Sequence, residues 1–269
     1  MTKKALSKTQ IDRLGDRLKI GSHTESDLRL LDDYRRSFGE AYEAVLRTIR
    51  ERGEFPTGRL AKSTLSIVEK LRRESIRLSQ MQDIAGCRVV VADVAKQDQF
   101  VASLTTDFTG ASVMDRRDKP SYGYRAVHVI AEISGKPIEI QVRTKLQHMW
   151  AELSEKSSDV LDPTIKYGGG SDVWRKFLTS SSEAVAAYET FEGRYAEAVA
   201  AHEEFEKATL ELLAFHPPEQ EVQETRARLG NSARRIAELQ RKQARLWRVN
   251  ADLLTQAITR LDKAKEPKR

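Results

Sequence analysis

A single hairpin near the middle of the chain constrains the fold most. Two runs, YRAVHVIAEI (124–133) and KPIEIQVRT (136–144), flank Ser134-Gly135, a pair suited to a tight turn. Successive side chains of a strand point to opposite faces. In the second run Ile138, Ile140 and Val142 therefore share one face, and Glu139, Gln141 and Arg143 share the other. In the first run Tyr124, Ala126, His128 and Ile130 lie on one face, with Val127, Val129 and Ile133 opposite. One face of the hairpin is apolar and core-seeking. The other gathers a carboxylate, an amide, a guanidinium, a phenol and an imidazole. A merely solvated sheet face is common, but it would carry interchangeable Lys, Glu and Thr. The two readings stand at even weight on the hairpin alone.

Around the hairpin the hydrophobic period changes. Residues 1–20 read as a flexible polar arm. Leu28, Leu31, Tyr34, Phe38, Tyr42, Val45 and Ile49 are spaced by three or four, which predicts one long helix. The breaker ERGEFPTG (51–58) precedes a shorter helix over about 66–77, with Ile67 and Leu71 inward. CRVVVADV reads as a buried strand rich in β-branched residues. The next run is a helix with Phe100, Val101 and Leu104 toward the core; 115–123 is turn-rich, and QHMWAELSEKSSD is helical again. The order β, α, β, β, α predicts an α/β (α+β) fold, a mixed sheet flanked by helices. Gly168–Gly170 mark a linker, and beyond them the chain is helical except at FHPPEQ. The expected division is an arm over 1–20, a sheet domain over 21–170 and an all-helical extension over 171–269. In the last helix Ile236, Leu239, Leu246 and Leu253 form a seam, with Gln243 and Asn250 at intervening positions. Polar seam residues set register or oligomer state, so an intramolecular hairpin or a homo-oligomer through these helices is expected.

Composition narrows the class. The chain has 269 residues, 39% hydrophobic and 32% charged, and no apolar run near the ~18 residues of a membrane span. Its first residues lack the apolar stretch of a secretion signal. One cysteine, Cys87, excludes an internal disulfide and a cysteine-rich zinc site. A cytoplasmic protein with no membrane contact is expected. The net charge of +6 is local, because residues 218–269 hold 13 Lys/Arg against 7 Asp/Glu. Residues 182–214 hold 8 Glu against Arg194 and Lys207. An acidic helix pairing with a basic one explains this as well as nucleic-acid binding does.

Candidate chemistry gathers on few residues. Asp83, just before the buried strand, is a turn residue or a metal-ligating carboxylate, with Glu139 as the second ligand. Two oxygen ligands with open positions suit Mg²⁺ carrying polyphosphate better than zinc. His23, His128, His148, His202 and His216 form no paired metal motif. Arg59, Lys62, Lys70, Arg72 and Arg73 are either a solvated face or a clamp for triphosphate oxygens. Neither GxxxxGK[ST] nor GxGxxG is present, so nucleotide binding would fall to side chains. In DRRDKPSYGYRAVH an aromatic beside arginines is a base-stacking candidate or a plain edge residue.

The runs KSTLSIVEKLRRE, MQDIAGCRVVV, KPSYGYRAVH and IEIQVRTKLQHMWAE, in this order and spacing, resemble the synthetase domain of the RelA/SpoT family. The likeness covers about 34–159, and in size the chain looks like a small alarmone synthetase. It implies a nucleotidyltransferase-like mixed sheet and a Mg²⁺-dependent pyrophosphokinase. Such enzymes move the β,γ-pyrophosphate of ATP to the ribose 3′-hydroxyl of GDP or GTP, giving (p)ppGpp. Carried onto this sequence, the resemblance makes Asp83 the magnesium-binding aspartate. Glu139 becomes the second acidic residue, for metal binding and activation of the 3′-hydroxyl, and Tyr124 the stacker on the acceptor base. His128, Gln141 and Arg143 match acceptor-side and sheet-floor positions, and Lys119 belongs to the acceptor loop. Lys62, Lys70, Arg72 and Arg73 match the ATP side. Two departures stand out. Leu60 occupies a usual arginine position, with Arg59 one residue further back, and KPSYGYR carries Tyr122 as an extra residue.

The resemblance leaves a rival open. Some small family members are toxins that pyrophosphorylate the tRNA 3′ end, or make adenosine alarmones, and are held by an antitoxin. A tRNA substrate would make Arg234, Arg235, Arg241 and Arg245 essential and affinity steeply salt-dependent. A third reading is a catalytically silent RNA-binding or oligomerisation scaffold.

Overall fold

The computed structural model describes residues 6–215 and 218–265. They pack as two units. The first holds the chain to Val91, Gln97–Arg116 and Ala126–Arg143; the second holds Ala92–Lys96, Arg117–Arg125 and the chain from Thr144 onward.

The first unit is built on a mixed five-stranded sheet, in the order β1-β2-β5-β4-β3. Its strands are β1 (Thr57–Arg59), β2 (Ala85–Val91), β3 (Ser112–Asp115), β4 (Val127–Ile133) and β5 (Lys136–Thr144). The β4–β5 hairpin turns at Ser134-Gly135 as expected, and in it His128 pairs with Gln141, Val129 with Ile140, and Ile130 with Glu139. Ile138, Ile140 and Val142 are fully buried in the core. In β2 the alternation puts Ala85, Cys87, Val89 and Val91 inward. The two outer strands, β1 and β3, were not expected. They are three and four residues long and exposed throughout, so no alternation announces them.

Helices cover the core face. The stretch expected as a polar arm is not one over its described part; residues 1–5 lie outside the described residues. Lys8–Ile20 form α1, opened by a Ser7/Gln10 capping box and closed by Gly21 at φ 77°. Its stripe of Ile11, Leu14 and Leu18 is buried in the sheet core. Gly15 lets α1 approach closely, since a Cβ there would lie 2.7 Å from that of Leu78. The long helix expected over 28–49 is two, α2 (Glu25–Arg36) and α3 (Gly39–Glu51). Ser37 breaks it by donating Oγ to the Tyr34 carbonyl at 2.6 Å, while Phe38 stays buried. α4 (Thr64–Arg73) and α5 (Val94–Asp107) follow, and from α5 Phe100 and Leu104 reach the core.

α1 and α2 are joined by one ion pair. Arg17 Nε donates to both Asp27 oxygens at 3.1 Å, and Asp27 Oδ2 also accepts from the Thr24 backbone N–H at 3.0 Å. The Arg17 hydrogen bond and that N-terminal cap hold the Asp27 carboxyl well below the usual carboxylate range. A folded-state pKa below the unfolded one contributes stability above the unfolded value and loses it as pH falls. Asp27→Ala is therefore expected to cost about 1–2 kcal/mol at neutral pH. In urea titrations at stepped pH, the gap to wild type should narrow below about pH 4; a constant gap would refute the assignment.

The second unit contains α6 (Lys145–Val160), α7 (Asp172–Ala214) and α8 (Glu219–Lys265). Leu146, Trp150, Leu153, Leu178, Val185, Leu254 and Leu261 form its core. α7 and α8 run antiparallel, with Lys242 Nζ 5.1 Å from the Phe191 ring centre and Leu212 near Glu221. The acidic helix does pair with the basic one. Only part of the expected seam is inward: Leu253 is exposed and Leu254 buried. A straight helix drifts from a seven-residue repeat in this way. Asn250 donates Nδ2 to the Leu246 carbonyl of its own helix at 2.9 Å. Gly168, at φ 83°, ends a 3-10 turn within this unit. Of FHPPEQ, residues 216–217 lie outside the described residues. Among the described residues no helix is long and apolar enough to cross a membrane.

Candidate active site

Asp83 lies in the turn entering β2, between Met81 and Ile84, both fully buried. Those two apolar anchors fix the turn. The Lys62 backbone N–H donates to the Ile84 carbonyl at 2.7 Å, which brings the start of α4 beside it. Lys62 Nζ then donates to Asp83 Oδ2, and Lys70 Nζ to Oδ1 at 3.0 Å. Burial pushes the Asp83 carboxyl up, but the two ammonium groups outweigh it and leave the pKa below its ordinary value. Burial also lowers the Lys62 pKa, against the pull of Asp83. The carboxylate is ionised, with a cation on each oxygen.

Glu139 sits on the polar face of β5. His128 Nδ1 lies 2.9 Å from its Oε1, and Gln141 Nε2 donates to Oε2 at 2.8 Å. An ionised carboxylate only accepts, so Nδ1 carries the hydrogen. Arg143 Nη2 donates in turn to Gln141 Oε1 at 2.7 Å, making one chain of polar groups along the sheet face. Burial raises the Glu139 carboxyl; the His128 and Gln141 bonds overcome it and set the pKa below normal. The Asp83 charge acts on Glu139 in the opposite sense, so the two carboxylates share one field. Cys87, beneath them, is pushed up to about 12 by burial and by Glu139, and its thiol is inert at neutral pH. Gly86 allows the approach, because a Cβ there would meet the Glu139 carbonyl at 2.8 Å.

Asp83, Lys62, Lys70, Glu139, His128, Gln141 and Arg143 thus all lie in the first unit, in two linked clusters. Arg59 ends the exposed edge strand β1, opposite Gly86, close enough for its charge to lower Lys62. Arg72 is engaged elsewhere, donating Nε to the Lys19 carbonyl at 2.8 Å. Arg73 pairs with Glu74 at 2.9 Å. Lys119 and Tyr124 belong to the second unit; Lys119 is exposed, and Tyr124 packs partly buried against the Trp150 core. Arg125, within the KPSYGYRAVH run, and Ser182 tie down the loop before β4, and of the two Ser182 carries no sequence signal. Ser182 stands in TSSSE, a run that reads as a solvated helix face. Among the described residues no three His, Cys, Asp or Glu gather as a metal cage.

Residues 58–158 match the family model described as "Region found in RelA / SpoT proteins". That match covers a little over a third of the chain. It runs from β1 to the last turns of α6 and includes every residue of the two clusters. The chain is also 38% identical over 111 residues to an uncharacterized protein of Mycobacterium tuberculosis, covering 40% of this chain and 41% of that one. A probable chloroplastic GTP diphosphokinase of Arabidopsis thaliana is 31% identical over 96 residues, 34% of this chain and 13% of that protein. The chain thus spans about two fifths of the length of the mycobacterial relative, and less of the plant one. The crystal structure of small alarmone synthetase 1 from Bacillus subtilis aligns with 27% identity and a TM-score of 0.48, over 66% of this chain and 100% of that one.

Proposed function

We propose that this chain is a Mg²⁺-dependent pyrophosphokinase, moving the β,γ-pyrophosphate of ATP onto the ribose 3′-hydroxyl of GDP or GTP to make (p)ppGpp. The observation that carries this reading is a pair of half-buried, ionised carboxylates on neighbouring strands, Asp83 at the entry to β2 and Glu139 on β5 where it passes Gly86. One, Asp83, bears two lysines, and the other, Glu139, is held by an imidazole and an amide. That the pairing falls inside a RelA/SpoT region, shared with a probable GTP diphosphokinase, supports the reaction class.

Magnesium fits this donor set. Asp83 and Glu139 offer hard, ionised oxygens, and Mg²⁺ is commonly held by one or two carboxylates with phosphate completing its shell. Each Asp83 oxygen keeps a lone pair beyond its lysine bond. When bound, the ion would neutralise phosphate charge. The chain supplies the rest. Lys62 and Lys70 have flexible stems, so they can turn from Asp83 to a triphosphate without losing charge compensation. Glu139 is the acceptor for the 3′-hydroxyl proton as the new O–Pβ bond forms and the Pα–O–Pβ bridge breaks, releasing AMP. His128 and Gln141 hold that carboxylate to one orientation. Transfer between polyanions needs this kind of positioning and charge stabilisation more than covalent chemistry.

The deciding experiment incubates the protein and Mg²⁺ with γ-labelled ATP and, in parallel, GDP, GTP, AMP or deacylated tRNA. Label is expected in the guanosine product and lost on chelation of the metal. Label only on tRNA or an adenosine nucleotide would replace this reading by the toxin one, in which an antitoxin partner is expected. Label on none would overturn both.

A further inference from the structure

The loop carrying Lys119 and Tyr124 is irregular, with a β-bridge between Ser121 and Tyr124. Its shape comes from the helices of the second unit. Ser182 of α7 donates Oγ to the Gly123 carbonyl at 2.6 Å. Arg125 Nε donates to the same Ser182 Oγ at 3.2 Å, and Arg125 Nη1 donates to the Arg117 carbonyl, closing the loop's two ends. Gly123, at φ 90°, lies against Trp150 so closely that a Cβ would come within 2.6 Å of the ring. Trp150 is itself fixed, donating Nε1 to the Leu178 carbonyl at 2.9 Å and to Ser181 Oγ at 3.0 Å. The Tyr122 ring rests on Gly168, where a Cβ would approach to 2.4 Å.

Ser182 departs from the habit of a helical serine, which returns its hydroxyl to its own helix. Ser157 and Ser158 of α6 do so, to Leu153 and Ser154. Ser181 does so to Leu178. Ser182 instead gives its buried hydroxyl to the loop. Two turns further along α7, Glu189 accepts from Thr144 Oγ1 at 2.9 Å and from Gln147 Nε2 at 2.7 Å, fixing the first turn of α6 directly after Arg143.

We propose that Ser182 and Arg125 are positioning residues, through which α7 holds the loop so that Tyr124 and Lys119 meet the acceptor nucleotide in one arrangement. The consequence for the acceptor rests on the function proposed above; the clamp itself does not. It makes the helical extension part of acceptor recognition, although no α7 residue need touch substrate.

Ser182→Ala is compared with wild type in the full chain, with Arg125→Gln as a second variant that alters the loop side and leaves the α7 core face intact. The expected result is a KM for GDP or GTP raised about threefold to tenfold, the yield of one lost hydrogen bond of this kind. The KM for ATP stays within about twofold of wild type and kcat changes less than the acceptor KM. Amide hydrogen exchange over 117–125 becomes faster, while that of β4 and β5 is unchanged. Unchanged exchange in both variants overturns the clamp, whatever the protein catalyses. Faster exchange with an unchanged acceptor KM overturns the positioning role. If wild type transfers pyrophosphate to no guanosine nucleotide, the proposed function falls, and with it the acceptor role of the clamp.

Discussion

Glu139→Gln is expected to fold like the wild type and to transfer pyrophosphate about 10²–10⁴-fold more slowly. The amide has the shape of the carboxylate, but one of its oxygens becomes a donor. In the wild type both neighbours donate: His128 Nδ1 to Oε1 and Gln141 Nε2 to Oε2. An amide nitrogen opposite a ring N–H would be a donor facing a donor. The imidazole relieves this by moving its proton to Nε2, so that Nδ1 accepts from the new amide. The hairpin core of Val129, Ile138 and Ile140 is untouched, and stability should change by no more than about 1 kcal/mol. What cannot be recovered is the charge. In the proposed reaction a neutral amide would neither take the 3′-hydroxyl proton nor match Asp83 as a second anion. Initial rates with labelled ATP, alongside thermal melts, separate the two effects. Activity within tenfold of wild type, with the fold intact, would remove Glu139 from the centre of the chemistry.

The polar face of β5 was legible because strand periodicity is strict: once Ile138, Ile140 and Val142 are taken as core, Glu139, Gln141 and Arg143 have no choice of side. Asp83 was legible as a residue but not as a geometry. Its two lysines stand 21 and 13 positions away, and only the packing of Ile67 and Leu71 turns Lys62 and Lys70 toward it while leaving Arg72 for the end of α1. A run of cations on a helix does not say which of them face inward. The edge strands β1 and β3 escaped because short, exposed strands bury nothing and so leave no pattern. α1 escaped for a related reason. Three apolar residues at the right spacing are outnumbered by charged neighbours, and burial depends on a groove that other segments build. The break between α2 and α3 is a local event, a serine hydroxyl taking a carbonyl, that leaves the hydrophobic stripe unbroken.

Leu14→Ala is expected to destabilise the first unit by about 2–5 kcal/mol, the range for truncating a fully buried leucine. Leu14 has no exposed surface and lies in the same core as Leu18, Phe38 and Leu78. Collapse into the space is limited on the α1 side, where Gly15 already sets the helix against Leu78. A loosely held arm would lose almost nothing, so the experiment distinguishes sharply between the two descriptions of this segment. The change should also reach the site. α1 holds α4 through the Lys19 carbonyl, which accepts from Arg72 Nε, and Lys70 is placed by α4. Loosening α1 should therefore raise the KM for ATP more than that for the acceptor. Urea titration followed by far-UV circular dichroism gives the first quantity and initial rates give the second. A cost below about 0.5 kcal/mol, the ordinary range of surface substitutions, would return α1 to the surface. A full core cost with no change in the ATP KM would cut the link from α1 to Lys70.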